Sequence, residues 1–154
     1  MAQFHKLEKE VELKCCADKI FQMFLANQSN IPDVCSHNVQ SNKVLQGGWT
    51  CVGSTRKWDC VIDGKAQCII ERIDAIDEEN KIIYRSMVDA DILKIHYKTF
   101  ANKFQVIPKE NECCVLKLTF EYEKINEDAP EPHQIMEFSL DTINKLACHL
   151  ASAN

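Results

Sequence analysis

Glycine is scarce in this chain, with four residues in 154. Three of the four fall between Leu45 and Cys60, in the segment LQGGWTCVGSTRKWDC. A glycine loop that binds phosphate needs a helix N-terminus directly after it, because the helix amides and dipole hold the anion. Here the following residues alternate as a strand does, and neither GxGxxG nor GxxxxGK[ST] occurs. We therefore expect no nucleotide-binding loop, and we assign these glycines to turns or bulges with positive φ.

The chain also lacks an excess of positive charge. Its 18 lysine and arginine residues are outnumbered by 23 aspartate and glutamate residues, which gives a net charge of −5. Nucleic acids and anionic membranes are usually bound by clustered basic side chains, so neither is an expected partner. No apolar run approaches the roughly 18 residues of a membrane span, and the charged N-terminus is unlike a secretory signal. We therefore expect a cytoplasmic protein without membrane insertion.

Cysteine is abundant, with nine residues, but the C-x-x-C spacing of zinc and thioredoxin-like sites is missing. The odd number does not fit a disulfide framework. Nor do the adjacent pairs Cys15–Cys16 and Cys113–Cys114, because neighbours on a strand point to opposite faces. Free cysteine behaves as a small buried hydrophobe. We expect reduced, mostly buried thiols, with a redox sensor as the alternative, and no metal site or cofactor.

Alternation of apolar and polar residues predicts strands over most of the chain. Residues 3–14 alternate, and the pattern resumes at Val39 and continues to Tyr122, interrupted by turn signals at Asp63-Gly64 and at residues 77–80. Strands joined by short turns indicate an antiparallel meander. One strand face is predicted to carry Val52, Ser54, Arg56, Trp58, Cys60 and Ile62.

Three segments have features typical of helices. Residues 17–27 are predicted to form a short helix, and 32–35 a second, since Pro32 suits a first turn. Residues 133–154 are predicted to form one long helix, whose apolar arc is interrupted by Ser139. The chain is therefore expected to be a single α+β domain over residues 1–154, with a strand, two short helices, about six antiparallel strands and a long C-terminal helix.

Several segments, in this order, resemble the major latex protein family of plants. They are Gly48-Trp49, Gly53-Ser54 and Trp58, then Asp63-Gly64-Lys65, AIDEENKIIYR at 75–85, YKTF at 97–100, QVIPK at 105–109 and FEYEKINEDAPEP at 120–132. This family belongs to the Bet v 1 (PR-10) superfamily. The resemblance implies the helix-grip fold: a seven-stranded antiparallel curved sheet around a long C-terminal helix, with two short helices and an internal hydrophobic cavity.

The resemblance further implies that the cavity binds a hydrophobic plant metabolite, which the protein carries or sequesters in connection with defence or stress. Arg56 shares the face of Trp58, so we expect it to orient a polar group of the ligand, to form a salt bridge, or to lie at an open end of the cavity. Alternation along the strands and the apolar arc of the helix select the remaining wall residues. These are Trp58, Ile69, Tyr84, Phe100, Phe104, Leu116, Leu118, Phe120, Ile135, Ser139, Ile143 and Leu146.

Some members of the superfamily that this chain resembles are enzymes. The alternative function is therefore a cofactor-independent isomerase or cyclase that acts on an alkaloid or terpenoid intermediate. Such an enzyme needs a shaped pocket and one acid or base, for which the candidates are His96, Glu71 and Tyr84. A third hypothesis is a regulatory protein whose partner docks on residues 33–37 or 89–96. We expect a monomer or a weak dimer.

Overall fold

A curved seven-stranded sheet forms most of the protein, whose computed structural model describes residues 3–152. The strands are β1 (Gln3–Leu13), β2 (Val39–Gln46), β3 (Thr55–Ile62), β4 (Lys65–Asp77), β5 (Ile82–Asp89), β6 (Tyr97–Pro108) and β7 (Cys114–Lys124). They lie in the order β1-β7-β6-β5-β4-β3-β2, and every neighbouring pair is antiparallel. Strands β2–β7 therefore form a meander, and β1 pairs with the last strand. The predicted antiparallel sheet is confirmed.

The two faces of β3 follow from its alternating sequence, TRKWDCVI. Val52 is also predicted on the inner face, but it is exposed and lies before the strand, which begins only at Thr55. Ser54, just ahead of the strand, is buried as predicted. The buried residues within the strand alternate with half-buried ones and are Arg56, Trp58, Cys60 and Ile62.

Gly47, Gly53 and Gly64 have positive φ, as predicted, whereas Gly48 does not. Asp63 and Gly64 have φ values of 52° and 74° between β3 and β4, the backbone that a two-residue hairpin of type I′ requires. Gly47, at the end of β2, has a φ of 82°, and a Cβ there would lie 2.8 Å from the Cβ of Ser54. This glycine is therefore required both by its backbone angle and by the close approach of Ser54.

Within residues 3–152 the α-helices are α1 (Ala17–Met23), α2 (Ile31–Val34), α3 (Asp91–Ile95) and α4 (His133–Ser152). The predicted first helix is too long, because Phe24 leaves the helical region with φ −96° and ψ 6°. Helix α3 is a single turn inside the region from Val39 to Tyr122, where alternation predicts strands and turns only. Helix α4 confirms the predicted long helix as far as Ser152, and residues 153–154 lie outside the described part. None of the helices in the described range is long and apolar enough to cross a membrane.

Helix α4 is held against the sheet by a polar cluster at the start of β2. The Nδ2 of Asn38 donates hydrogen bonds to Asp141 Oδ2 and Thr142 Oγ1, both at 2.9 Å. The Nζ of Lys145 donates to Asn38 Oδ1 at 2.8 Å. Asn38 is buried, so these bonds satisfy a polar group that would otherwise destabilise the fold.

The loop between β7 and α4 is anchored by a second polar cluster. The hydroxyl of Tyr97 donates to the Pro130 carbonyl at 2.6 Å. The carboxylate of Glu131 accepts from Lys124 Nζ at 2.6 Å and from the Tyr122 hydroxyl. These bonds, that of Lys124 first, lower the pKa of Glu131, and burial raises the pKa of Tyr97 to about 12.

Candidate ligand-binding cavity

A cavity of about 110 Å³ lies between the concave face of the sheet and helix α4. Helix α4 covers it with five side chains, and the segment around α1 and α2 closes one end. Most of its wall is apolar. The lining residues are Phe24, Ile31, Val39, Trp58, Cys60, Ile62, Ile69, Glu71, Arg85, Met87, Phe100, Asn102, Leu118, Phe120, Ile135, Phe138, Ser139, Thr142 and Ile143.

Polar side chains cross the concave face as a row, one from each of the strands β3–β6. Arg56 of β3 is the register partner of Glu71 in β4. Arg85 of β5 is the partner of Asn102 in β6, and Glu71 pairs with Met87, two residues along β5 from Arg85. We call Arg56, Glu71, Arg85 and Asn102 the polar row. It runs across a mostly apolar surface.

The cavity occupies only part of the concave side. On the side of the polar row towards the β3–β4 turn it is lined by Trp58, Ile69, Met87 and Phe100, and beyond the row it reaches Leu118, the register partner of Phe104. The rest of the side beyond the row, which we call the packed half, is filled by side chains, and Phe104 there contacts the wall residue Phe24 with ring centroids 4.7 Å apart. The fully buried residues of this packed half that lie outside the cavity wall include Ile73, Ile83, Phe104, Val106, Leu116 and Leu146.

Hydrogen bonds hold the polar row in place. The indole Nε1 of Trp58 donates to Glu71 Oε1 at 2.9 Å. The Nε of Arg85 donates to Asn102 Oδ1 at 2.9 Å, while its Nη1 lies 3.8 Å from Glu71 Oε1. The Arg85 guanidinium also stands 5.7 Å from the centre of the Phe104 ring, within the range of a cation–π contact. The row therefore presents a fixed carboxylate and a fixed guanidinium to the cavity.

Arg56 is fully buried and sits beside the cavity wall. Its Nη1 donates to Gln28 Oε1 at 2.6 Å, and its Nη2 donates to the Trp49 carbonyl at 3.1 Å and to Ser54 Oγ at 2.9 Å. Burial lowers the pKa of Arg56, and the charge of Glu71 opposes that shift. Arg56 is thus polar and buried on this face, as the sequence predicts. Its charge is stabilised by hydrogen bonds to neutral acceptors and not by a direct salt bridge.

The structure brings eight of the predicted wall residues together around the cavity. Phe104, Leu116 and Leu146 face inward as predicted but lie in the packed half. Periodicity identifies the inner face of a strand, whereas the position along the strand decides between cavity and packed core. The eight are Trp58, Ile69, Phe100, Leu118, Phe120, Ile135, Ser139 and Ile143.

Tyr84 and His96, predicted near the cavity, lie elsewhere. Tyr84 is on the outer face, exposed, with Lys103 Nζ 5.8 Å from its ring centre. The adjacent residues Ile82 and Ile83 are both apolar, which leaves the parity of this strand ambiguous in the sequence. His96 follows α3 and precedes β6, and a register shift after Tyr97 breaks the alternation that links it to the inner face. Of the three candidate acid–base groups, Glu71 alone lines the cavity.

Arg85 and Asn102 are the members of the polar row that the sequence prediction of the wall omits. It also omits other lining residues, which are Phe24, Ile31, Val39, Cys60, Ile62, Met87, Phe138 and Thr142. Arg85 and Asn102 are polar residues on inward positions, so a search for apolar alternation passes over them. A signal does exist in the register: Asn102 lies two residues from Phe100 and Phe104, and Arg85 two residues from Ile83 and Met87.

The thiols do not add a nucleophile to the cavity. All nine cysteines are free, and Cys60 lies in the wall. Burial, together with the nearby charge of Asp59, raises the pKa of Cys60 to about 12, so the thiol stays protonated at neutral pH. Over residues 3–152 no group of three or more His, Cys, Asp or Glu side chains is arranged to hold a metal ion.

Comparison with known proteins agrees with this architecture. Residues 2–153 match the model of the pathogenesis-related protein Bet v 1 family. The chain belongs to this family. It is 30% identical to major latex protein 146 of Papaver somniferum over 150 residues, 97% of this chain and 92% of that protein. It is also 36% identical to MLP-like protein 34 of Arabidopsis thaliana over 145 residues, which cover 94% of this chain and 46% of the relative.

Solved structures of other proteins share the fold. The ginseng major latex-like protein 151 superposes with a TM-score of 0.90 at 26% identity, covering 96% of this chain and 97% of that one. Norcoclaurine synthase from Thalictrum flavum superposes with a TM-score of 0.73 at 18% identity, covering 96% and 88%. The chain spans about half the length of the first two curated relatives, MLP-like proteins 34 and 28. The resemblance to major latex proteins seen in the sequence is confirmed.

Proposed function

We propose that this Bet v 1 family member binds a small hydrophobic or amphipathic metabolite in its cavity and carries or sequesters it. The observation that supports the proposal is the cavity itself, which is mostly apolar and has a few fixed polar groups along one edge. Ligand sites in proteins are typically built in this way, since apolar walls provide affinity and the polar groups fix the orientation.

The volume of the cavity limits the ligand. An engineered apolar cavity of about 150 Å³ holds benzene, and this cavity measures about 110 Å³. A single ring with a short chain is therefore the size that enters with small adjustments, whereas a sterol requires α4 to move away from the sheet. A related fold gives support: norcoclaurine synthase is known in complex with dopamine and hydroxybenzaldehyde, both single-ring compounds.

A pair of matched variants tests the carrier function. Ser139 faces the cavity and Asn144 is exposed on the same helix. Purified protein is incubated with pooled phenylpropanoids, flavonoids, alkaloids and sterols, and native mass spectrometry reports which compounds are retained. We expect wild type and Asn144→Phe to retain a compound and Ser139→Phe to lose it, because the new ring fills the cavity. Equal retention by both variants would place the ligand elsewhere and contradict the proposal.

Catalysis is the second candidate, and the burial of Glu71 in the cavity wall is the observation that favours it. A buried carboxyl next to a bound substrate is a potential general acid or base. Chromatography of the same incubations detects any new product. If the protein is an isomerase or cyclase, the amount of product should rise in proportion to the protein concentration, and the Glu71→Gln variant should form no product. If every incubation returns the compounds unchanged, catalysis is contradicted and the carrier function remains.

We also propose a cytoplasmic role in defence, which the family description as pathogenesis-related supports. Imaging of a fluorescent fusion tests the location, and protein abundance before and after infection tests the role. An unchanged abundance under infection would argue against a defence function.

A further inference from the structure

The edge of the cavity contains more positive than negative charge. Arg56 is fully buried, and the side chains of Arg85 and Glu71 are only 11% and 9% exposed. Glu71 and Arg85 are the charged residues of the cavity wall, and Arg56 is the register partner of Glu71. Two guanidinium groups thus share one carboxylate, which leaves one positive charge without a counter-charge.

The other buried cation of the described chain is neutralised directly. Lys124 contacts the carboxylate of Glu131 at 2.6 Å. Arg56 instead donates to neutral oxygens of Gln28, Trp49 and Ser54, and its buried Nε has no hydrogen-bond partner among the described residues. A buried charge without a counter-charge destabilises the fold. An additional negative group beside the polar row would compensate it.

Arg85 has donors available to meet such a group. Its Nε donates to Asn102 Oδ1, and this is the only hydrogen bond of the Arg85 side chain within residues 3–152. The 3.8 Å separation from Glu71 exceeds the range of a direct hydrogen bond. Among the described residues the Nη groups of Arg85 therefore make no hydrogen bond, although Nη1 keeps its ion pair with Glu71. A planar guanidinium binds a carboxylate with two parallel bonds.

We propose that the cavity ligand is a small amphipathic acid, with its ring-sized apolar body against Trp58 and Phe120 and its carboxylate against Arg85. The assignment rests on the proposed ligand-binding function and narrows it to one chemical class. An anion at this place balances the two arginines and one glutamate of the polar row. An amine of the same size meets an excess of positive charge and is rejected.

Three compounds of the same size test the charge preference: 3-phenylpropanoic acid, 3-phenylpropan-1-ol and 3-phenylpropan-1-amine. Isothermal titration calorimetry measures each affinity at one ionic strength and neutral pH. We expect the acid to bind wild type at least about tenfold more tightly than the alcohol, as charge-assisted hydrogen bonds allow, and the amine to bind most weakly.

Two substitutions in the polar row shift the preference in opposite directions. Arg85→Gln should bring the acid and the alcohol to about equal affinity, and Glu71→Gln should increase the advantage of the acid. Arg72→Gln is the matched control, because Arg72 is exposed on the outer face and pairs with Asp74 at 2.7 Å. It should leave the ratio of the two affinities unchanged.

The outcomes separate this inference from the proposed function. If the alcohol binds as tightly as the acid to both wild type and Glu71→Gln, the inference is wrong and the ligand-binding function stands. If none of the three compounds binds, both fail. Circular dichroism checks the fold of each variant. If Arg85→Gln does not fold, the ratio of acid to alcohol affinity in wild type and in Glu71→Gln still tests the inference.

Discussion

The Trp58 indole stabilises the carboxylate of Glu71, which is buried beside the cavity. Its Nε1 donates a hydrogen bond of 2.9 Å to Glu71 Oε1. Hydrogen bonds to charged groups contribute about 1.5–3 kcal/mol to the free energy of unfolding. Trp58→Phe keeps an aromatic ring but removes this donor. We expect the free energy of unfolding in urea to fall by about 2 kcal/mol.

The same substitution made in a Glu71→Gln background controls for the change in ring size. There the acceptor is neutral, so the loss should be clearly smaller. An equal loss in both backgrounds would show that packing of the indole, not its hydrogen bond, stabilises this region.

Gly47 and Gly64 provide a matched pair for the cost of a left-handed backbone. Both have positive φ, but a Cβ on Gly64 meets nothing within 4 Å, whereas a Cβ on Gly47 lies 2.8 Å from Ser54 Cβ. Alanine in this region costs about 1–2 kcal/mol from backbone strain alone. We expect Gly64→Ala to lose that amount and Gly47→Ala to lose at least about 1 kcal/mol more. Equal losses in urea unfolding would mean that β2 yields to the added methyl group.

At the scale of elements, the loop before α4 depends on the ionisation of Glu131. Its pKa is lowered by the hydrogen bonds from Lys124 and Tyr122, so its contribution is present above the ordinary glutamate pKa near 4.3 and disappears as the pH falls through the lower folded value. Glu131→Gln should therefore have a lower Tm than wild type at pH 7, and the difference should vanish in acid.

Glu127 in the same loop is exposed, and Glu127→Gln serves as the control, with a Tm close to that of wild type at each pH. Thermal unfolding followed by circular dichroism between pH 7 and pH 2.5 measures all three proteins. A constant difference between Glu131→Gln and wild type over that range would contradict the assigned ionic contact.

Alternation in the sequence identifies the inward-facing residues of some strands and not of others. Alternation predicts the inner face wherever polar and apolar residues strictly alternate, as in β3. It fails at Tyr84, because two adjacent isoleucines hide the parity of the strand. It also fails at His96, where the strand has not begun. Arg85 is missed because a guanidinium on an inner face becomes stable only through partners on other strands, such as Asn102.

The division between cavity and packed core is a property of the whole molecule. Phe100 and Phe104 have the same parity on β6, yet Phe100 lines the cavity and Phe104 is packed against Phe24. What separates them is the course of α4 and the position of α1, neither of which a strand pattern contains. The fold could be predicted from the sequence, and so could half of the apolar wall, but not the boundary of the cavity.

Binding should stabilise the whole molecule. A ligand present at one hundred times its Kd adds about 2.7 kcal/mol to the free energy of unfolding, which raises the Tm of a protein of this size by roughly 5–10 °C. Differential scanning fluorimetry with 3-phenylpropanoic acid should show this rise in wild type and no rise in Ser139→Phe. A similar rise in both proteins would indicate binding outside the cavity.

The most direct test of the cavity as the binding site is a methyl NMR titration with 3-phenylpropan-1-ol. The isoleucine methyl groups report on both halves: Ile69, Ile135 and Ile143 line the cavity, whereas Ile20 and Ile83 are buried outside it. We predict saturable shifts at the first three and none at the other two. Shifts centred on Ile20 and Ile83, or no saturable shift at any of the five, would contradict the cavity as the binding site.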